Sequence, residues 1–228
     1  MKKKAPENNS AQEALLVKMV SVVSHELRNP LAIMNNSLYF IKTKLSALPD
    51  ADPKLGKHLG IIESEIKNAN AVVGELVGYF REAKPEPRPL RLNAVVEQAL
   101  AAWTPPPKVS VDHAPDASDP ELTGDPAQLA DAVRRILANA GEAMPEGGAV
   151  KVRVYREAKR PAVEISDAGP GIRPDDLHKV FEPFFTTKPR GLGLGLAVAK
   201  RTLERHGGSV DIKTQPGKGT TVRLFLPA

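Results

Sequence analysis

The sequence predicts a two-part fold: an α helical hairpin forming a dimeric four-helix bundle, followed by an α/β sandwich in which a mixed sheet carries helices on one face. Three observations carry the prediction. Apolar residues in the first third recur in alternating steps of three and four, the period of a coiled-coil seam. The run Lys84-Pro85-Glu86-Pro87-Arg88-Pro89 then breaks the pattern with the composition of a short, semi-rigid linker. Beyond it, helix-like and strand-like stretches alternate without βαβ regularity, which favours helices layered on one sheet. The expected division is residues 1–83, a linker at 84–90, and residues 91–228.

In the first helix the seam is Leu16, Val20, Val23, Leu27, Leu31, Met34, Leu38, Ile41 and Leu45, with one extra step of four around Pro30. Leu48-Pro49-Asp50-Ala51-Asp52-Pro53 cannot continue a helix and favours a turn. The second helix carries Leu55, Leu59, Ile62, Ile66, Ala69, Val73, Leu76 and Phe80. Two helices alone make a thin core, so burying both seams most simply takes a second copy across a two-fold axis, and a homodimer is expected.

After the linker the pattern predicts a helix near Asn93 to Trp103, a strand near Val109 to Asp112 and a helix from Pro126 to Met144. Strands follow near Ala149 to Arg156 and Ala162 to Ser166, then a loop rich in Gly, Phe and Thr, and a helix from about Leu194 to His206. Strands near Ser209 to Thr214 and Thr220 to Leu226 close the chain.

Composition narrows the function classes. The 228 residues include no cysteine, which excludes disulfides, zinc thiolate centres and cysteine nucleophiles and suits a reducing cytoplasm. No run approaches the roughly 18 apolar residues of a membrane span, and the basic start leads into no apolar signal core, so no membrane contact from this chain itself is expected. The net charge of +5 is interleaved through both halves and only 4% of residues are aromatic, so a solvated mixed surface is expected and no nucleic acid partner.

Chemistry first appears at Ser24-His25-Glu26-Leu27-Arg28-Asn29-Pro30-Leu31. Val23 and Leu27 sit about 200° around the helix from His25 in opposite senses, so His25 should face solvent. A neutral imidazole nitrogen is a competent nucleophile toward phosphorus, and Glu26 can take the proton from the other ring nitrogen. Asn29, one turn on, can orient a water or the phosphoryl group in the hydrolytic direction. Pro30 removes the amide that would bond the Glu26 carbonyl, so a local bend is expected. An exposed histidine beside a glutamate is, alone, an ordinary surface pair. His58 has no such neighbourhood and reads as a surface residue.

Three further stretches stand in the second part. Arg135-Ile136-Leu137-Ala138-Asn139-Ala140 lies on a helix. Asp167-Ala168-Gly169-Pro170-Gly171-Ile172 follows a strand, where a carboxylate can accept a hydrogen bond and glycines let backbone approach a ligand closely, although Asp-x-Gly-x-Gly is also a common turn. Phe181-Glu182-Pro183-Phe184-Phe185-Thr186-Thr187-Lys188 leads to Gly191-Leu192-Gly193-Leu194-Gly195-Leu196. Alternate glycines let backbone curl around phosphates, the following helix offers its amino end to an anion, and Lys188 is placed to meet a terminal phosphate. As a plain structural reading, Phe184 and Phe185 plug a core and the glycines form a connector. The spacing fits neither a dinucleotide fingerprint nor a P-loop.

Jointly these stretches resemble one family. His-Glu-Leu-Arg-Asn-Pro-Leu is similar, residue by residue, to the phosphoacceptor box of sensor histidine kinases, and the later motifs resemble, in order, those of the Bergerat-type ATPases that accompany it. Gly217-Lys218-Gly219-Thr220-Thr221 resembles that family's last motif. The resemblance implies ATP and Mg²⁺ as cofactors, with Asn139 holding the metal. It implies a nucleotide site of Asn139, Asp167, Gly169, Gly171, Thr187, Lys188, Gly191, Gly193, Leu194, Gly195 and Thr220, with a lid from Gly171 to Gly195. His25 would accept the γ-phosphoryl group with Glu26 as base, and pass it to an aspartate of a response regulator receiver domain docked on the stripe His25, Asn29, Ala32 and Asn36. Three positions depart from the pattern: Arg135 stands where a first asparagine is usual, Ala168 where asparagine is usual, and Leu192 where threonine is frequent. Arg135 leaves the metal one fewer amide, and Gly141-Glu142-Ala143-Met144 brings in no basic residue, which shifts weight onto Lys188. Two rival readings are a phosphotransfer scaffold with a degenerate ATP domain and an ATPase that leaves His25 unmodified.

Overall fold

The computed structural model describes residues 7–46, 48, 52–80, 84–188 and 191–227, with side chains described at 20 and from 22 onward. The Leu16 side chain and the turn residues Pro49, Asp50 and Ala51 lie outside the described residues. The chain divides into two compact units, Met1–Ala83 and Lys84–Ala228.

The first unit is a hairpin of two helices, α1 (Glu7–Ser46) and α2 (Pro53–Phe80). α1 runs on through Pro30 as one element. Leu38 on α1 and Ile66 and Val73 on α2 are buried between them. Glu63 of α2 ties the pair together, taking Lys42 of α1 at 2.5 Å and Lys67 of its own helix at 3.0 Å. Much of the rest of the seam is only partly covered by its own chain: Val23, Leu27, Met34, Ile41, Leu55 and Ile62 are each between 46% and 50% exposed. Two helices touch along one row apiece, so a stripe two residues wide on each helix cannot be buried by the hairpin alone.

The second unit is an α/β sandwich. Its elements are β1 (Arg88–Arg91), α3 (Leu92–Ala101), β2 (Val109–Ala114), β3 (Glu121–Gly124), α4 (Pro126–Glu142), β4 (Gly148–Glu157), β5 (Arg160–Asp167), α5 (Gly195–Arg205), β6 (Ser209–Gln215) and β7 (Gly219–Phe225). Five strands form one sheet in the order β2-β4-β5-β7-β6; β2 runs parallel to β4 and the other pairs are antiparallel, so the sheet is mixed. Alternation sorts the faces: Val150, Val152 and Val154 of β4 are buried with Val163, Ile165, Val222 and Leu224 beside the helices' Leu92, Val96, Ile136, Leu137 and Leu203. On the outer face Arg153, Glu164, Arg223 and Asp211 stand in register across four strands with alternating sign.

One expectation needs correcting. The proline-rich stretch is not free over its whole length, because Arg88–Arg91 forms β1 and pairs antiparallel with β3 in a two-stranded sheet, Pro89 opposite Thr123. A proline fits such a strand when its missing amide falls on an unpaired edge.

α4 starts on a firm cap. Asp125 Oδ1 accepts from the amides of Ala127 (3.0 Å) and Gln128 (3.1 Å), and Pro126 sits in the first turn, where no intrahelical donor is missed. The end of α5 meets that start: the Asp125 amide donates to His206 Nε2 at 3.0 Å, so the ring carries its proton on Nδ1, 2.8 Å from the Thr202 carbonyl. The two helices therefore run antiparallel, which sets the amino end of α5 beside the carboxyl half of α4.

Candidate phosphoacceptor and nucleotide sites

His25 projects from α1 into solvent, its side chain 76% exposed and that of Glu26 74%. Its Nδ1 is the ring atom recorded near the glutamate, 4.0 Å from Oε1, a gap that a rotamer change between two exposed side chains closes to a hydrogen bond. With Nδ1 on the side of the carboxylate, Nε2 is the ring nitrogen turned away from it. Asn29, Ala32 and Asn36 are exposed along the same side of α1. Ser24 turns the other way: it is buried, and its hydroxyl has no hydrogen-bond partner among the described residues.

In the second unit the loop geometry gathers most of the expected residues around α4. Asp167 closes β5, and its Oδ1 accepts from the amides of Gly169 (2.9 Å) and Thr220 (3.3 Å), which leaves Oδ2 to take a ligand's amine. Burial pushes this carboxyl above the ordinary aspartate range, more than the Gly169 and Thr220 amides and the Lys188 charge pull it down. Gly171, at φ +72°, runs so close to the Gln215 carbonyl that a β-carbon would stand 2.5 Å from the oxygen. Thr214 Oγ1 fixes the start of the lid, accepting from the Ile172 amide at 2.9 Å while lying 3.2 Å from Thr220 Oγ1.

At the far end of the lid, Gly193 has φ +68° and its carbonyl accepts from the Phe184 amide at 3.1 Å, so the lid tip is a loop closed at its base. Leu194 is buried beneath it. A β-carbon on Gly195 would stand 3.3 Å from Asn139 Nδ2, so the amino end of α5 adjoins that asparagine. Lys188 Nζ meets Asn139 Oδ1 at 3.3 Å and Glu142 Oε2 at 2.5 Å. Gly191 lies against Thr186 and Lys188, whereas Thr187 is exposed and makes no hydrogen bond or ion pair among the described residues. Phe184 is 52% exposed, which rules out the reading of that residue as a core plug.

Three residues not singled out from the sequence belong to this region. Asp131 accepts from both Arg134 and Arg135; burial raises its carboxyl, but the two guanidiniums outweigh that and hold it below the usual range. Their i, i+3 and i, i+4 spacing was the available signal. Met144 Sδ lies 3.4 Å from the Ala168 amide, and Thr214 reaches the lid across 42 residues, which no local pattern announces.

A metal at Asn139 would draw little from the protein: no group of three or more His, Asp or Glu among the described residues is arranged to hold an ion. The residues fit Mg²⁺ in the way that ion is commonly held, through one neutral oxygen plus phosphate and water, and Asn139 Oδ1 already faces a cation, the Lys188 ammonium.

Residues 15–82 match the model of the His Kinase A (phospho-acceptor) domain, and residues 124–228 that of the histidine kinase-, DNA gyrase B- and HSP90-like ATPases. The solved mycobacterial sensor histidine kinase MprB is 32% identical, with TM-score 0.53 over 61% of this chain and 96% of that one. The chain belongs to the histidine kinases. Among curated relatives, the signal transduction histidine-protein kinase AtoS of Escherichia coli is 32% identical over 219 residues, 94% of this histidine kinase chain and 35% of AtoS. This chain thus spans about a third of that relative's length. The structure of histidine kinase ThkA in complex with response regulator protein TrrA, 22% identical, matches 99% of the chain and 68% of its own at TM-score 0.65, extending the likeness of fold across both units.

Proposed function

We propose that the chain is the core of an ATP-dependent protein histidine kinase that phosphorylates His25 and passes the phosphoryl group to an aspartate of a response regulator receiver domain. The observation that carries this reading is the exposed His25 with Glu26 at its Nδ1. ATP is held with its adenine amine on Asp167, its phosphates against the lid glycines and the start of α5, and Lys188 at the terminal phosphate. Asn139, with the triphosphate, would hold Mg²⁺, which would supply neutralisation of charge on the phosphate oxygens. The Nε2 lone pair attacks the γ-phosphorus in line, the bond to the β–γ bridging oxygen breaks, ADP departs, and Glu26 takes the Nδ1 proton. Transfer requires the two units to approach, and we place the pivot at residues 84–85, ahead of the Glu86 amide that Asp125 holds.

The phosphohistidine then gives its phosphoryl group to the receiver aspartate. The response regulator protein TrrA bound to ThkA in the neighbouring structure supports that class of partner. Asn29 serves the reverse task, orienting water for removal of phosphate from the regulator. The half-exposed seam supports a homodimer, and a reaction that consumes ATP to modify a receiver domain belongs in the cytoplasm.

The deciding experiment is incubation with γ-labelled ATP and Mg²⁺. Acid-labile, base-stable label on the wild type and none on His25→Ala is the expected result; label that persists in His25→Ala, or ATP turnover with no label, sinks the assignment. In the same assay Asn29→Ala should label normally yet dephosphorylate the regulator at least tenfold more slowly. Equal loss of both activities refutes the role given to Asn29.

A further inference from the structure

Asp131, Arg135, Asn139 and Glu142 succeed one another along α4 at steps of four, four and three, so they stack on one side of the helix. The far end of this stripe is the nucleotide region, where Asn139 adjoins Gly195 and receives Lys188. Arg135 lies one turn before Asn139, and its side chain is only 13% exposed. Its Nε donates to Asp131 Oδ2 at 2.7 Å, while Arg134 occupies Oδ1 with Nε at 3.1 Å and a terminal nitrogen at 2.5 Å. One carboxylate therefore serves two guanidiniums, and the cluster carries one positive charge in excess. A guanidinium drawn out of water, held in plane by its Nε and only half neutralised, is set up for an anion, and its fork matches phosphate.

We propose that Arg135 binds the phosphate chain of the nucleotide and supplies directly part of the neutralisation that a second amide would leave to the metal. Asp131 is its positioning residue, fixing the guanidinium plane. The inference rests on the nucleotide reading above and adds two properties: ATP binding that survives removal of Mg²⁺, and a contact that senses phosphates without sensing the base.

Calorimetric titration of the whole chain with ATP and with adenosine, each in Mg²⁺ and in chelator, tests this. Arg135→Gln alone strands Asp131 beside Arg134, so the neutral pair Asp131→Asn/Arg135→Gln is titrated beside it, with melting midpoints as the check on folding. The wild type should bind ATP in chelator. Both variants should lose about tenfold or more in chelator, the scale of one charge-assisted hydrogen bond, lose less in Mg²⁺, and bind adenosine unchanged. The proposal is overturned if the wild type binds ATP only with Mg²⁺, if the double variant matches the wild type in chelator, or if adenosine affinity falls in step with ATP. A wild type that binds ATP under neither condition defeats the nucleotide reading itself.

Discussion

Burial raises the Asp167 carboxyl above the ordinary aspartate range, and the linkage sign follows from the direction. A raised folded value means that the ionised form is disfavoured by the fold, so stability from this group grows as pH falls through that value and is lost above it. Asp131 runs the other way: its lowered value gives stability that is present above the unfolded aspartate range and lost as pH falls through the folded one. Only the ionised Asp167 accepts an amine with either oxygen. ATP affinity should therefore weaken on acidification, beginning at a higher pH than an ordinary aspartate dictates. Asp167→Asn should keep or raise the melting midpoint of the ATP-free unit while weakening ATP binding at least tenfold. A variant that melts lower and still binds ATP contradicts this account; melting curves and titrations across pH 4 to 8 decide. The candidacy of Asp167, Asn139 and His25 was legible because each lies in a dense local motif. The contacts between them were not: Thr220 belongs to a motif visible in the sequence, but its amide bond to Asp167 and the bond of Thr214 to the lid come from a hairpin far along the chain, and register, not spacing, delivers them.

At the scale of elements, α4 positions both Asn139 and Arg135, and its start rests on Asp125. Losing a cap that satisfies two amides removes about 1 kcal/mol, and here the same residue also takes the Glu86 amide at 3.1 Å. Asp125→Ala should lower the melting midpoint of the second unit by several degrees, the size effect expected for a domain of this class, while Asp125→Asn restores most of it. No change in the midpoint would show that α4 is held by its packing alone. The long periodic helices and the strands with alternating valines could be read in advance, since burial of one face imposes the period. β1 and β3 could not. Each is four residues long, β1 contains Pro89, and their pairing joins Pro89 to Thr123 across a span that holds α3 and β2. The proline pattern that marks a linker is the same pattern that marks an edge strand.

For the molecule as a whole, the hairpin and the α/β unit have different sources of stability. The second unit buries a core of its own. The hairpin leaves six seam residues near half exposure, so its folded state should depend on a partner copy and therefore on protein concentration. Calorimetry should give two transitions, with the hairpin's midpoint rising over a hundredfold concentration range and the other staying fixed. Leu27→Glu with Ile41→Glu should convert the chain to a monomer by sedimentation while ATP binding persists. A hairpin transition independent of concentration, or a dimer that survives both glutamates, would remove the argument for the bundle.

The closed base of the lid also makes it a place to watch the protein work. The Phe184–Gly193 hydrogen bond closes the base of the tip, Lys188 ties it to Asn139 and Glu142 of α4, and the neighbouring Thr187 is exposed, with no hydrogen bond or ion pair among the described residues. The sequence has no cysteine, so Thr187→Cys would be the sole thiol in the molecule. An environment-sensitive dye attached there would report lid movement as a change of emission, without background labelling and without touching α4.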